Sequence, residues 1–463
     1  MNRRRGAGGT GRVRAAVVGV LGVALGSTLA LLPGGATAVA AGTAAGTAAG
    51  STPGTGGAYG FDAGARRVKG AVSNLDAERL AEHTTYRDTL KKDGKLYYRV
   101  DLDDKRNAYV SAVAVPRPGA RTGYGDGIKV SLQDGANSQC GYQERSFGSA
   151  EFGRPIAAYA DRTLEPGSTT CRQAGAYYVL VERESAKESD QGDWELEIRF
   201  VTEPGVKKAG PTALPSEWPS GTPQPPTGGP RRRDGGSGFH DAIALTQGEW
   251  RTDIRPGQTL FYRVPVDWGQ QLFATAQLGN NPASDEYLGN AFVLSLDNPA
   301  YGHVDQNTVT YDGDPATMAL DAQRPVAFEN RFSGSYSTGA MRFAGWYYLS
   351  ATLSPAVAKH YGDQPLPLTL RVNITGQAAP GPAYDGAAGV FTVTDDDRDA
   401  AASGTSEPQE ARGATYRVVG LAGIGAGTVL LLGLAVWWLL ARRTAAATGP
   451  GTGTGARTGT TTA

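Results

Sequence analysis

The sequence predicts an all-β protein: two tandem antiparallel β-sandwich domains of jelly-roll-like type, followed by one C-terminal transmembrane helix. Three observations predict it. Apolar residues alternate with polar ones over many short segments. The whole pattern occurs twice. Near the C-terminus lies an uncharged apolar run whose length suits a bilayer core of about 30 Å.

The strand signal is clearest around residue 98. Leu96, Tyr98, Val100 and Leu102 fall on one face of an extended segment, and Tyr97, Arg99, Asp101 and Asp103 on the other. Tyr109 to Val115, Ile128 to Leu132, Ala176 to Glu182 and Trp194 to Val201 read as further strands. Turn signals separate them, among them Lys92-Asp93-Gly94, Pro118-Gly119, Asp126-Gly127 and Pro166-Gly167. With 65 glycines and 27 prolines in 463 residues, the chain favours many strands joined by turns over long helices.

The duplication sets the domain plan. Tyr86 to Asp134 matches Trp250 to Asn298 without a gap. Leu96-Tyr97-Tyr98-Arg99-Val100 falls on Leu260-Phe261-Tyr262-Arg263-Val264, and Val130-Ser131-Leu132 on Leu294-Ser295-Leu296. After small length changes the match resumes. Ala174-Gly175-Ala176-Tyr177-Tyr178 pairs with Ala344-Gly345-Trp346-Tyr347-Tyr348, and Leu196-Glu197-Ile198-Arg199 with Leu368-Thr369-Leu370-Arg371. Two copies of one domain are expected, over 60–202 and 239–376, each long enough to bury its own core.

The ends and connections complete the plan. Residues 1–40 read as a cleaved signal peptide, with Arg3, Arg4, Arg5, Arg12 and Arg14 ahead of an apolar stretch from Ala15 to Leu32. Small-x-small cleavage sites follow at Ala36-Thr37-Ala38 and Ala38-Val39-Ala40. Residues 418–440 carry no charge and read as the membrane span. Trp437 and Trp438 stand at interface depth, and Arg442 and Arg443 just beyond place the C-terminus in the cytoplasm. The Pro/Gly-rich segment 203–238, with Arg231-Arg232-Arg233, reads as an interdomain linker. Residues 377–416, with Asp395-Asp396-Asp397, read as a flexible stalk, and 441–463 as a disordered cytoplasmic tail.

Cys140 and Cys171, both in the exported region, are expected to form a disulfide. The charge is balanced, with 45 Lys and Arg against 45 Asp and Glu, so no overall field favours nucleic acid. His83, His240, His303 and His360 stand in no HExxH or HxH pattern. No GxSxG elbow or Walker glycine loop occurs. The aspartates at 101, 103, 104, 312 and 314 match no EF-hand loop and read as strand ends and turns. No catalytic, cofactor-binding or metal residue is expected. The candidate binding residues are the aromatics Tyr177, Tyr178, Trp346, Tyr347 and Tyr348. Paired rings on a strand point to opposite faces, so one of each pair is expected to meet solvent or a partner.

The pattern Gly94-x-Leu96-Tyr97-Tyr98-x-Val100, a strand ending in Val130-Ser131-Leu132, and a late Ala174-Gly175-x-Tyr177-Tyr178-x-Leu180-Val181 resembles the bacterial pre-peptidase C-terminal domain. The second copy repeats it from Leu260-Phe261-Tyr262-x-Val264 to Ala344-Gly345-x-Tyr347-Tyr348. The resemblance implies a β-sandwich of jelly-roll type in a secreted protein and carries no catalytic residue across. That family often has acidic residues before its middle strand; here the stretch is Gly125-Asp126-Gly127. The layout also resembles actinobacterial cell-surface proteins, some of which accompany von Willebrand factor A-type domain proteins. The expected role is a membrane-anchored surface binding or scaffolding protein. Its expected partner is an envelope protein, such as a von Willebrand factor A-type protein, or a cell-wall glycan. An exported hydrolase is the alternative.

Overall fold

A computed structural model describes residues 57–164, 167–214 and 217–446 of the chain, without the side chains of 413–426, 441 and 443–446. The expected signal peptide and most of the expected cytoplasmic tail lie outside the described residues.

The first copy contains β1 (Arg66–Arg67), β2 (Glu78–Arg79), β3 (Thr85–Leu90), β4 (Lys95–Leu102), β5 (Asn107–Val115), β6 (Gly127–Gln133), β7 (Gln139–Ser146), β8 (Ile156–Arg162), β9 (Gly175–Glu184) and β10 (Trp194–Glu203). The second contains β11 (Pro230–Arg232), β12 (Ile243–Ala244), β13 (Gly248–Ile254), β14 (Thr259–Val266), β15 (Gln271–Leu278), β16 (Leu288–Asp297), β17 (His303–Tyr311), β18 (Ala316–Ala319), β19 (Gly345–Leu353) and β20 (Leu366–Thr375). Short helices α1 (Tyr336–Ala340) and α2 (Val357–Tyr361) flank β19.

Each copy is a pair of five-stranded sheets. In the first the orders are β1-β3-β10-β5-β8 and β2-β4-β9-β6-β7; in the second they are β11-β13-β20-β15-β18 and β12-β14-β19-β16-β17. The two plans are identical, strand for strand. Registers agree as well: Leu96 pairs with Val181 as Leu260 pairs with Ala351, and Leu196 pairs with Ala114 as Leu368 pairs with Leu278. The duplication read from sequence is therefore a duplication of structure. Every pairing of long strands is antiparallel; only the short edge strands β1, β2, β11 and β12 pair parallel.

Each copy closes around its own core. In the first, Tyr98, Val100, Val130, Val179, Trp194 and Ile198 interdigitate between the sheets. In the second, Trp250, Tyr262, Val264, Leu294, Tyr347 and Leu370 do so. These are the inward positions of the alternation. Cys140 and Cys171 form a disulfide with a Cα–Cα distance of 5.7 Å. It ties β7 to the loop before β9 and, by closing a loop of 31 positions, contributes about 3–4 kcal/mol through the unfolded state.

Two connections differ from expectation. The segment 203–238 is anchored at both ends: Glu203 ends β10, Val206 bridges Tyr384, and Pro230–Arg232 forms β11. Its arginines pack on the second sandwich, Arg231 lying 4.1 Å over the Trp250 ring and Arg232 pairing with Asp253 at 3.2 Å. The segment 377–416, expected as a flexible stalk, is instead folded onto the sandwiches. Ala379 N–H donates to the Trp268 carbonyl at 2.8 Å, Phe391 is fully buried, and α3 (Asp395–Ser403) lies beside β12 and β14. The physical reason lies in a few anchors within Gly/Ala-rich sequence. Thr394 and Asp397 form a capping box, and the acidic run sits in the first turn of α3, where unpaired N–H groups and the helix dipole favour carboxylates.

Next comes α4 (Glu407–Ala446), whose start is pinned by an ion pair from Glu410 to Arg263. Farther along, Val429 to Leu440 is a run of exposed large apolar side chains. Among the described residues no helix is long and apolar enough to cross a membrane.

Candidate binding face

A sandwich has two outer faces, so two copies offer four. Two of these are spent on each other. The outer face of β3-β10-β5-β8 packs on the outer face of β14-β19-β16-β17. β5 is consequently buried at every position, a pattern no strand with a solvent-facing side can show. Val113, Val115 and Ala157 of the first copy share a cluster with Phe239, Phe261, Tyr301 and Tyr348 of the second. Tyr109, Tyr159 and Val201 share another with Ala300, Phe343 and Phe391. Ring contacts run through both clusters. Phe239 stacks on Tyr301 at 4.4 Å, and Phe343 meets Tyr109 edge-on at 5.0 Å.

Polar groups lock this seam. Glu203 accepts from Arg331 at 2.7 Å, from Tyr384 at 2.7 Å and from Asn107 and Tyr109 at 2.8 Å. Burial pushes its carboxyl up, but the Arg331 guanidinium and the hydrogen bonds outweigh burial and hold it below the usual value. Gln306 accepts from Arg145 at 2.5 Å and from Arg154 at 3.2 Å.

The seam also buries Asp297, which lies 3.7 Å from His303 Nδ1. Burial raises the Asp297 carboxyl to about 7, against a smaller opposing pull from Arg145. His303 is pushed well below its ordinary value by burial and by Arg145 and Arg154. Since the folded pKa of Asp297 lies above the unfolded one, its contribution to stability is full below about pH 4 and is lost as pH rises through about 7. His303 acts in the opposite sense, because its folded pKa is depressed. Asp297→Asn should therefore reduce the stability lost between pH 5 and pH 8.5 by on the order of 2–4 kcal/mol. Melting curves across that range, compared with the parent, check the difference.

The five aromatics named from sequence divide three ways. Tyr177 and Tyr347 are core residues in twin positions, donating their hydroxyls to the Gln173 carbonyl at 2.7 Å and the Phe343 carbonyl at 2.9 Å. Tyr348 is buried in the seam, and Trp346 lies at its rim with Nε1 donating to Asp397 at 2.8 Å. Tyr178 is half-buried on an open face. That face is the outer side of β4-β9-β6-β7 in the first copy.

Register sets out what the open face carries. One cross-strand row is Lys95, Glu182, Lys129 and Glu144; the next is Tyr97, Leu180, Ser131 and Tyr142; the next begins Arg99, Tyr178 and Gln133. Tyr142 is 52% exposed, and the Lys129 ammonium lies 4.7 Å over its ring. The charges are paired in place: Lys129 with Glu144 at 2.8 Å, Lys95 with Glu182, and Arg99 with Asp101 at 2.8 Å. The hydrogen bonds that Lys95 and Lys129 donate to Glu182 and Glu144 hold the two ammonium groups above the ordinary lysine value. Sequence reasoning passed over Tyr97 and Tyr142. Tyr97 carried a signal, since it lies on the outward side of the alternation around residue 98; β7, which bears Tyr142, has no apolar alternation to mark it.

The twin alignment explains the difference between open and spent faces. Tyr97 and Tyr178 stand where Phe261 and Tyr348 anchor the seam, while Lys129 replaces Val293. On the other spent face, Val113, Val115 and Val201 become Gln277, Gly279 and Asn373 on the outer side of β13-β20-β15-β18. At these twin positions the seam faces are the more apolar and the terminal faces the more polar.

Among the described residues no group of three or more His, Cys, Asp or Glu is placed to hold a metal ion. Asp103 is already engaged, accepting from the Lys105 and Arg106 amides at 2.9 and 2.8 Å. Two surface depressions, of ≈ 180 Å³ beside Trp194 and ≈ 360 Å³ beside Lys92, reach no histidine and no buried acid.

No protein-family model matches the chain, and no curated protein does. Among solved structures, the chain is similar to the N-terminal CBM22-1-CBM22-2 tandem domain of Paenibacillus barcinonensis Xyn10C, at 11% identity and TM-score 0.17, covering 64% of this chain and 93% of that one. It is also similar to a Broad Bean Stain Virus structure, at 8% identity and TM-score 0.17, covering 71% and 96%. A third is tripeptidyl peptidase 2, at 11% identity and TM-score 0.19, covering 65% of this chain and 27% of that one. Likeness at this level carries no functional argument.

Proposed function

We propose that the chain is a membrane-anchored cell-surface binding protein, built of two jelly rolls of the pre-peptidase C-terminal type. The open tyrosine face of its first sandwich is the ligand-contact face. One observation carries this reading. The same face of the second sandwich is a contact surface already occupied, and its ring-bearing anchor positions, Phe261 and Tyr348, remain aromatic as Tyr97 and Tyr178 where the face is open. Aromatic rings among paired charges suit contact with a polar partner. The ligand is an envelope protein, such as a von Willebrand factor A-type protein, or a cell-wall glycan.

Export and anchoring are supported by the signal-like N-terminus, the apolar stretch 418–440 within α4, and the exposed run ending at Leu440. Arg442 lies 3.9 Å over the Trp438 ring at the end of that run, a pairing suited to a membrane interface. Protease added to intact cells should then degrade the sandwiches and spare the tail.

The binding test uses the full chain in mild detergent, offered to isolated cell walls and to solubilised envelope proteins. The parent should retain one of them, and the Tyr97→Ala/Tyr178→Ala double variant should lose it. Equal retention by parent and variant would contradict the assignment of this face.

A further inference from the structure

We propose that the open face of the first sandwich takes an uncharged polysaccharide, bound side-on, at one site per chain. The proposal rests on the reading of that face as the ligand-contact surface, and adds the ligand's chemical class and stoichiometry.

Charge argues for the class. Each lysine or arginine on the rows of this face has a carboxylate partner on the same face or its edge, as with Lys129 and Glu144, Lys95 and Glu182, and Arg79 and Arg99 on Asp101. A phosphate or a uronic acid would have to displace a carboxylate already bridged to these cations, and a basic polymer a cation already bridged to these carboxylates. The surface offers donors and acceptors whose charges already have partners on the face, which suits a polyhydroxyl chain.

Ring placement argues for side-on binding. Tyr97 and Tyr178 sit on adjacent strands, two residues out of register, so their Cα atoms lie about 7–8 Å apart. Tyr142 lies in the row of Tyr97, three strand spacings or about 14 Å away. Tyr97, Tyr178 and Tyr142 at that span can each take the face of a sugar ring, over a row floored by the buried Leu180 and Ser131. Tyr97 replaces Phe261 of the occupied twin face, adding a hydroxyl where an apolar seam becomes a polar surface.

The seam argues for the stoichiometry. The equivalent rings of the second copy, Phe261 and Tyr348, are buried against the first copy, so duplication has yielded one open site and not two.

The test is titration calorimetry on the full chain in mild detergent, with hexasaccharides of β-1,4-glucose, α-1,4-glucose, β-1,4-xylose and β-1,4-N-acetylglucosamine, and with oligogalacturonate as the charged comparison. At least one uncharged hexasaccharide should bind at one per chain, and oligogalacturonate should not. Tyr97→Ala and Tyr178→Ala should each weaken binding by about tenfold. Tyr287→Ala, which alters an exposed tyrosine of the second copy, should leave it unchanged. Unchanged melting temperatures would show that the half-buried tyrosine variants are folded. Binding of none of the uncharged sugars, or equal binding by Tyr97→Ala, overturns the proposal. If the tyrosine variants instead lose an envelope protein, the glycan class is overturned and the contact face stands. If they lose nothing, both fall.

Discussion

Replacing Arg331 with methionine should destabilise the protein by about 3–5 kcal/mol, the scale for leaving one member of a buried ion pair alone. The Arg331 side chain is 4% exposed and that of Glu203 is not exposed at all. The Arg331 guanidinium gives two hydrogen bonds to the carboxylate, at 2.7 and 3.3 Å, and its Nε donates to the Phe328 carbonyl at 3.0 Å. Without it, three neutral donors remain around a charge cut off from water. The loss should be read as a fall in melting temperature of both sandwiches together, since Glu203 belongs to the first copy, Arg331 to the second and Tyr384 to the segment after it. The double variant Glu203→Gln/Arg331→Met should recover much of the loss, because it removes the stranded charge along with its partner. A double variant as unstable as the single one would show that the pair acts through packing alone.

Gly302→Ala should also destabilise the seam. A Cβ at that position would stand 1.8 Å from Tyr159 Cε1 and 2.1 Å from Cδ1. Gly302 lies in the β16–β17 turn of the second copy and Tyr159 on β8 of the first, so the clash falls across the seam. The Tyr159 ring has little freedom to yield. Its hydroxyl accepts from Arg342 at 2.9 Å, and its backbone N–H donates to Gln143 at 2.9 Å. Forcing it aside should cost roughly 1–3 kcal/mol or more. The first sandwich alone should be indifferent to the change. Hydrogen exchange should therefore show amides on β8 and β16 losing protection while the inner strand β9 keeps its own.

Much of the fold was legible because it rests on period-two burial. β4, β14 and their neighbours alternate apolar and polar residues, and the twin copies carry the same pattern in the same order. β7 and β8 left no such trace. Gln139–Ser146 is largely polar, and Ile156–Arg162 is rich in alanine, which favours helices when read locally. The folding of 377–416 was hidden for a related reason. A few anchors, Tyr384, Phe391 and the Thr394 cap, are scattered through a composition that reads as a loop.

The binding face was only half legible. Paired tyrosines such as Tyr347 and Tyr348 announce two faces of a strand, but the sequence does not say whether the outward face meets solvent or another domain. Tyr178 and Tyr348 are twins in sequence and opposites in environment. What separates them is the seam, and its signature is distributed: Lys129 against Val293 on one side, Val113 against Gln277 on the other. Such differences gain meaning only once the two copies are known to touch.

The central claim is that the two sandwiches form one body, with the second copy's ring face buried in the seam and the first copy's left open. Differential scanning calorimetry of the full chain in mild detergent tests it most directly. A single transition, with calorimetric and van't Hoff enthalpies equal, is expected for two cores melting as one unit. Two separable transitions, with the second sandwich melting at the same temperature whether or not Arg331 is replaced, would contradict it.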